Sequence, residues 1–411
     1  MISYRTRTLD NGLRVLAHRD PNTCMAAVNI LYCVGARNEN PDHTGFAHLF
    51  EHLMFRGTKQ VPDFDLPLQM ACGENNAFTN NDYTDYYITL PQDNIETALW
   101  LEADRMTELD ISPDALQTEK NVVIEEFNQR YLNQPYGDMW MLLRGMVYKV
   151  HPYRWATIGL TPDHIRSATI EDVRRFYKRY YRPSNAILSV ASALDEQRVF
   201  DLADKWFSDI EDTPATADAI ADEPPQTSAR RMEVRRNVPA TAITIALRMG
   251  RRLSRNYYLC DMMTDLLAGG TSARLYRELV RNRRLFSGVN AYITGDLDEG
   301  MLIVTGNLLP GTPVETGEAA LWEQLHELCD KPVSEYEIQK IKNKFEAELT
   351  FGETNIMNKA MNLGYYAMTG DLPLINRENE IFSSITPEQI MEEAKKMFLP
   401  EKSSTLIYAC E

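Results

Sequence analysis

Residues His43 to Thr58, reading HTGFAHLFEHLMFRGT, constrain this chain more than any other stretch. They contain His48-x-x-Glu51-His52. On a helix of 3.6 residues per turn, side chains three and four apart share a face, about 5–6 Å apart at Cβ. Both imidazoles can therefore reach one metal ion. Counting about 100° per residue from His48, His52 falls near ~40° and Glu51 near ~300°, while Phe46, Leu49, Phe50, Leu53 and Met54 fall between about 100° and 240°. The helix has two opposed faces, one apolar and one for chemistry.

The plain alternative is a surface helix with two solvated histidines. With 7 His and 59 Asp plus Glu among 411 residues, the pattern arises by chance in roughly 1–2% of such chains. A metal site still needs a third ligand, because a catalytic zinc takes three protein ligands and keeps one position open. The candidates lie in Thr118-Glu-Lys-Asn-Val-Val-Ile-Glu-Glu-Phe127. Glu119 and Glu126 are two helical turns apart and share a face, with Glu125 about 100° away. Taken alone, these acids read as ordinary helix-surface charges, and spacing does not choose between Glu125 and Glu126.

The segments GFAHLFEHLMFRGT, then CGENNAFTNNDYTDYYITL (with Cys72 where a second Gly is usual), then EKNVVIEE resemble the pitrilysin (insulinase) family of zinc peptidases, the small two-domain type similar to mitochondrial processing peptidase. The resemblance runs in order through most of the N-terminal half. It implies an inverted zinc motif with one Zn2+ per chain, held by His48, His52 and Glu126. It further implies Glu51 as the base and Glu119 as the acid supporting a ligand. Asn76, Ala77 and Phe78 would border an extended peptide substrate, which a strand beside a metal can receive through backbone hydrogen bonds.

Length implies two or more domains. A net charge of −16, from 43 Lys plus Arg against 59 Asp plus Glu, argues against nucleic acid and anionic membranes, since both reward clustered cations. The six cysteines are widely spaced with no CxxC pair, unlike a disulfide scaffold or a zinc ribbon, and read as mostly reduced, buried thiols. No stretch approaches ~18 consecutive apolar residues, and the N-terminus has no apolar signal region; the expectation is a cytoplasmic protein.

Strand-like runs fall at 14–17, 25–35, 83–90 and 186–191, with Asn76–Thr79 leading into the third; helical patterns fall at 66–72, 94–107, 112–131, 169–181 and 195–208. Gly57 reads as the residue closing the motif helix. In the second half, strands are expected at 231–236 and 240–249, a hairpin over 287–308, and helices at 256–268, 272–283, 313–330 and 334–355. The expected fold class is α+β: two tandem homologous domains, each an antiparallel-rich mixed sheet flanked by helices. The boundaries are a metal-binding domain over 1–212, a Pro- and Ala-rich linker over 213–228 and a second domain over 229–411. One internal echo supports duplication: Thr169-x-Glu171-x-Val173 reaches Pro183 fourteen residues after its Thr, as Thr386-x-Glu388-x-Ile390 reaches Pro400.

The second half has no HxxEH, and its one histidine, His326, reads as structural. The resemblance continues there through LLAGGTSARLYREL and then departs. Active relatives usually have an Arg, and a Tyr seven residues later, holding the substrate carbonyl; the corresponding positions are Val280 and Ser287. A zinc endopeptidase acting on peptides in a homodimer or heterodimer chamber is the expectation, with this chain as the zinc-bearing subunit. The alternatives are a structural subunit, or a silent partner that needs a homologous Arg/Tyr-bearing chain.

Overall fold

The computed structural model describes residues 1–213 and 219–411, and the chain packs as two compact units. The first comprises 1–128, 155–221 and 349–377; the second comprises 129–154, 222–348 and 378–411. All strands of the first sheet precede residue 213 and all strands of the second follow residue 229, while one helical segment crosses over in each direction. The expected linker falls partly on 214–218, outside the described residues. Within its described part, Glu223 is tied down, its carboxylate accepting from the backbone N–H groups of Lys149, Val150 and His151 at 2.8–2.9 Å.

The first unit holds a six-stranded sheet built from β1 (Arg5–Thr8), β2 (Arg14–Arg19), β3 (Met25–Tyr32), β4 (Glu74–Thr79), β5 (Thr84–Pro91) and β6 (Ala186–Ser192). Its order is β1-β2-β6-β3-β5-β4, with β2 and β6 parallel and every other pair antiparallel. β6, AILSVAS, is buried at every residue, as a strand covered on both faces must be. Alternate residues of β3 serve the two faces. Ala27 packs under Ala360 of the helix Ile356–Thr369, whose Gly364 approaches so closely that a Cβ there would lie 2.8 Å from Asn29 Oδ1. Tyr32, on the opposite face, meets Tyr86 and Tyr181.

The second unit repeats this plan. Its strands are β7 (Arg230–Arg236), β8 (Ala242–Arg248), β9 (Phe286–Ile293), β10 (Met301–Leu308) and β11 (Ser403–Cys410), ordered β7-β11-β8-β10-β9. Only β7 and β11 are parallel, so the order matches β2-β6-β3-β5-β4 strand for strand. The sequence echo marks the same joint in both copies. Thr169 and Thr386 each open a helix with a reciprocal capping box, through Asp172 and Gln389, which satisfies two otherwise unpaired helix donors. Pro183 and Pro400 then start the short turns that lead into β6 and β11. The fold is therefore the expected α+β pair of like sheets flanked by helices.

Four local features differ from expectation. The helices Met139–Val147 and Ile356–Thr369 fall where no expectation was placed. Helix Pro113–Phe127 stops short of 131 and continues as a wider turn over Asn128–Leu132. Gly57 does not close the motif helix, which ends at Leu53 with Met54 as its cap; its φ of +85° instead belongs to the next turn. All six cysteines are free, but only Cys260 is buried, and Cys24, Cys72 and Cys410 are exposed. Among the described residues, no helix is long and apolar enough to cross a membrane.

Cys72, standing where a glycine was expected, has φ +56°. A left-handed backbone costs an L-residue roughly 1–2 kcal/mol, against about 0.5–1 kcal/mol of extra chain entropy for glycine. Cys72→Gly is expected to stabilise the protein by about 0.5–1 kcal/mol, read as a later denaturant midpoint at unchanged slope. An earlier midpoint would mean the turn is not strained at Cys72.

Candidate metal centre

The motif helix spans Phe46–Leu53 and buries Phe46, Leu49, Phe50 and Leu53, the apolar face read from the sequence. Phe50 stacks on Phe176 and Tyr181 at 5.0 and 5.2 Å between ring centroids. At the helix N-terminus, where backbone donors lack intrahelical partners, buried Glu39 accepts from the N–H groups of Gly45 and Ala47 at 2.9 Å. Gly45 itself adopts φ +90°, with Ile158 O 2.6 Å from where a Cβ would stand.

Packing this helix on Pro113–Phe127 brings together the three expected ligands. Glu126 Oε2 lies 3.7 Å from His48 Nε2 and 3.5 Å from His52 Nε2. One ligand atom from each of the three lies within 4.8 Å of the others, and among the described residues no other cluster of three His, Cys, Asp or Glu meets that condition. Glu125 is exposed on another face of the helix. The geometry thus separates the two glutamates that spacing left equivalent. The three side chains are 12–26% exposed, so one side of the cluster stays open.

The donor set suits zinc: two imidazole nitrogens and one carboxylate are its usual mixed ligands. The electrostatics agree. Hydrogen bonds to Glu119 and Glu126 raise the pKa of His52 to about 9, so the pocket favours positive charge. Glu119 is the expected supporting acid. Its Oε2 lies 3.3 Å from His52 Nδ1, the nitrogen facing away from Glu126. Burial alone would raise its pKa, but hydrogen bonds from His52 and Arg56 outweigh that and hold it below the usual carboxylate range. Arg56, whose Nε donates to Glu119 Oε1, was not singled out in the sequence. No helical spacing points to it, because the motif helix ends at Leu53 and Arg56 lies in the turn beyond.

Glu51 lies on the same helix, half-buried. Burial raises its pKa, partly offset by hydrogen bonding to Thr79 and by His52. Thr79 is the last residue of β4, the edge strand that pairs only with β5. Asn76, Ala77 and Phe78 sit on this strand opposite Tyr87, Tyr86 and Asp85. Asn76 is exposed, its side-chain oxygen accepting from Ala77 N–H at 2.8 Å, and Phe78 packs edge-on against Tyr83. In the second unit, Val280 is partly buried against the core. Ser287 is exposed on the edge strand β9, its hydroxyl donating to Asn307 O at 3.1 Å. His326 lies against Trp322.

With this geometry established, comparison with known proteins defines the class. The profile for insulinase (peptidase family M16) matches residues 14–138, and that for the peptidase M16 inactive domain matches residues 167–345. The chain belongs to this family. Zinc protease PqqE of Helicobacter pylori is 29% identical over 409 residues, covering 98% of this chain and 92% of the relative. The beta subunit of the mitochondrial-processing peptidase of Saccharomyces cerevisiae is 25% identical, covering 96% and 86%. A protease from Helicobacter pylori of known crystal structure superposes over the full length of both chains, with a TM-score of 0.94 at 28% identity.

Replacing Glu126 by Gln is expected to lower zinc affinity by at least about tenfold, because even losing a group that only orients a ligand costs 10–100-fold. Glu125→Gln should leave it unchanged. Metal content after dialysis against a graded chelator separates the two, and equal retention would remove Glu126 from the ligand set.

Proposed function

We propose that this chain is a zinc-dependent endopeptidase acting on peptides or unfolded polypeptides, with His48, His52 and Glu126 holding one Zn2+. The observation that supports this best is the convergence of those three groups from two helices, with the carboxylate of Glu51 on the same motif helix beside His52. Zinc held there would supply Lewis acidity toward the scissile carbonyl and toward a water molecule. The remaining work falls to the chain's own residues. Glu51 takes the proton from the attacking water and returns it to the leaving nitrogen. A carboxylate whose burial raises its pKa is suited to that exchange, since catalytic efficiency is greatest when the pKa approaches the working pH. Thr79 keeps the Glu51 carboxyl aimed and joins it to β4. The open edge of β4, with Asn76, Ala77 and Phe78, holds the substrate in extended form through backbone hydrogen bonds, which accept many sequences. Glu119 accepts from His52 Nδ1 and so leaves Nε2 free to bind metal.

A second feature bears on assembly. Val280 and Ser287 occupy the positions where the family resemblance leads one to expect Arg and Tyr, and neither side chain can donate the charged, forked hydrogen bonds of a guanidinium. The chain is therefore read as the zinc-bearing subunit of a dimer, with a homologous partner supplying those groups. One relative is, by name, a subunit.

Two outcomes test these readings. Glu51→Gln should keep one zinc per chain while peptide cleavage falls about 10²–10⁴-fold, the usual worth of a positioned base; turnover equal to wild type would exclude Glu51 as the base. The isolated wild-type chain should cleave peptides slowly and speed up on mixing with a homologous subunit that carries the Arg and Tyr. Full activity alone, unchanged by any partner, would remove the divided-labour assignment.

A further inference from the structure

We infer that Arg56 is a positioning residue for the metal centre: it holds the Glu119 carboxylate in the one orientation that fixes the ring of His52. The inference rests on the reading of His48, His52 and Glu126 as zinc ligands. Its basis is that the two oxygens of Glu119 have separate donors. Oε1 accepts from Arg56 Nε, and Oε2 lies 3.3 Å from His52 Nδ1. The carboxylate cannot rotate without losing one of them. Glu119 is itself 8% exposed, so water is poorly placed to substitute for a lost donor, and a buried carboxylate short of a hydrogen-bond partner turns toward another. That reorientation would free the imidazole ring.

Arg56 reaches Glu119 because of the turn that follows the motif helix. The helix stops at Leu53, and the N–H groups of Phe55 and Arg56 close onto the carbonyls of His52 and Leu53 at 3.2 and 3.0 Å. Gly57 then turns the chain at φ +85°, where a Cβ would lie 2.3 Å from Val61 O. Thr58 locks the turn: its N–H donates to Val61 O at 2.9 Å, its hydroxyl accepts from Val61 N–H at 2.9 Å, and that hydroxyl also donates to the Asp104 carboxylate. Asp104 belongs to the helix Ile95–Thr107, a third element that supplies no ligand. The run Arg-Gly-Thr therefore reads as one device, with a side chain that grips Glu119, a residue that permits the turn and a hydroxyl that anchors it. Planar Nε geometry is available to arginine and not to lysine, which sets up a graded test.

Zinc affinity is measured on metal-free protein by competition with a chromophoric chelator, alongside the absorption spectrum of the cobalt(II) form and the unfolding midpoint of the metal-free form. Arg56→Ala is expected to bind zinc about 10–100-fold more weakly, with an altered cobalt spectrum and an unchanged metal-free midpoint. Arg56→Lys, which keeps the charge and loses the Nε donor, should fall between the two and serves if the alanine variant does not fold. Wild-type affinity and spectrum in both variants would overturn the inference, as would a weakened affinity that merely tracks a lowered metal-free midpoint. Failure of the wild-type protein to take up one equivalent of zinc would instead remove the ligand assignment underneath it.

Discussion

The structure of the site depends on fixing both ends of a helix too short to hold itself. Phe46–Leu53 is eight residues long, below the ~12–15 at which isolated helices become even marginal in water. Tertiary packing supplies the difference. The aromatic rings of Phe176 and Tyr181 stack on Phe50, and burying a side chain of that size contributes about 1.5–3 kcal/mol. Glu39 satisfies the first backbone donors, and the Arg56-Gly57-Thr58 turn closes the other end. Held in this way, the helix presents two imidazoles and Glu51 in a fixed direction, and its crossing with Pro113–Phe127 brings Glu126 within 3.5–3.7 Å of both imidazoles.

Beneath it lies a buried ion pair that the site does not use directly. Arg105 donates to both oxygens of Glu102, with both side chains at most 1% exposed. The guanidinium lies over the rings of Phe55, Phe64 and Tyr86 at 4.4–5.3 Å. Phe55 is the residue before Arg56, and Tyr86 is on β5, opposite Ala77. A charge pair of this kind is costly to break, and its aromatic cage links the turn after the motif helix to the sheet edge read as the peptide-binding strand. The second unit repeats the strand order without the chemistry. Val280 faces the core, and Ser287 lies on an edge strand that corresponds in position to β4, so among the described residues the cluster of two histidines and a glutamate occurs in one copy of the duplicated topology and not in the other.

Much of this is legible in the sequence. Strong periodicity exposed the motif helix and the long helices, and the Thr-to-Pro spacing exposed the duplication, because capping boxes and turn prolines are local chemistry. The helix Ile356–Thr369 was not legible, since its small residues face Ala27 and Asn29, more than three hundred positions earlier. Gly57 was misplaced for a related reason: left-handed glycines serve helix ends and free turns alike, and only the bonds to Val61 distinguish them. The same holds for the cysteines, whose spacing excluded disulfides but not exposure.

The sequence by itself determined the chemistry on offer: two histidines and a glutamate on one helical face, two further glutamates sharing a face elsewhere, and an α+β chain with two like halves. These follow from periodicity and short-range bonding, which any window of a dozen residues contains. Spacing left Glu125 and Glu126 equivalent and the family resemblance named Glu126; only the tertiary structure decided that Arg56 reaches Glu119 and that Thr79 joins Glu51 to the sheet edge. Each of these is a contact between elements far apart in the chain, set by how helices cross and strands pair, and no local pattern encodes that distance.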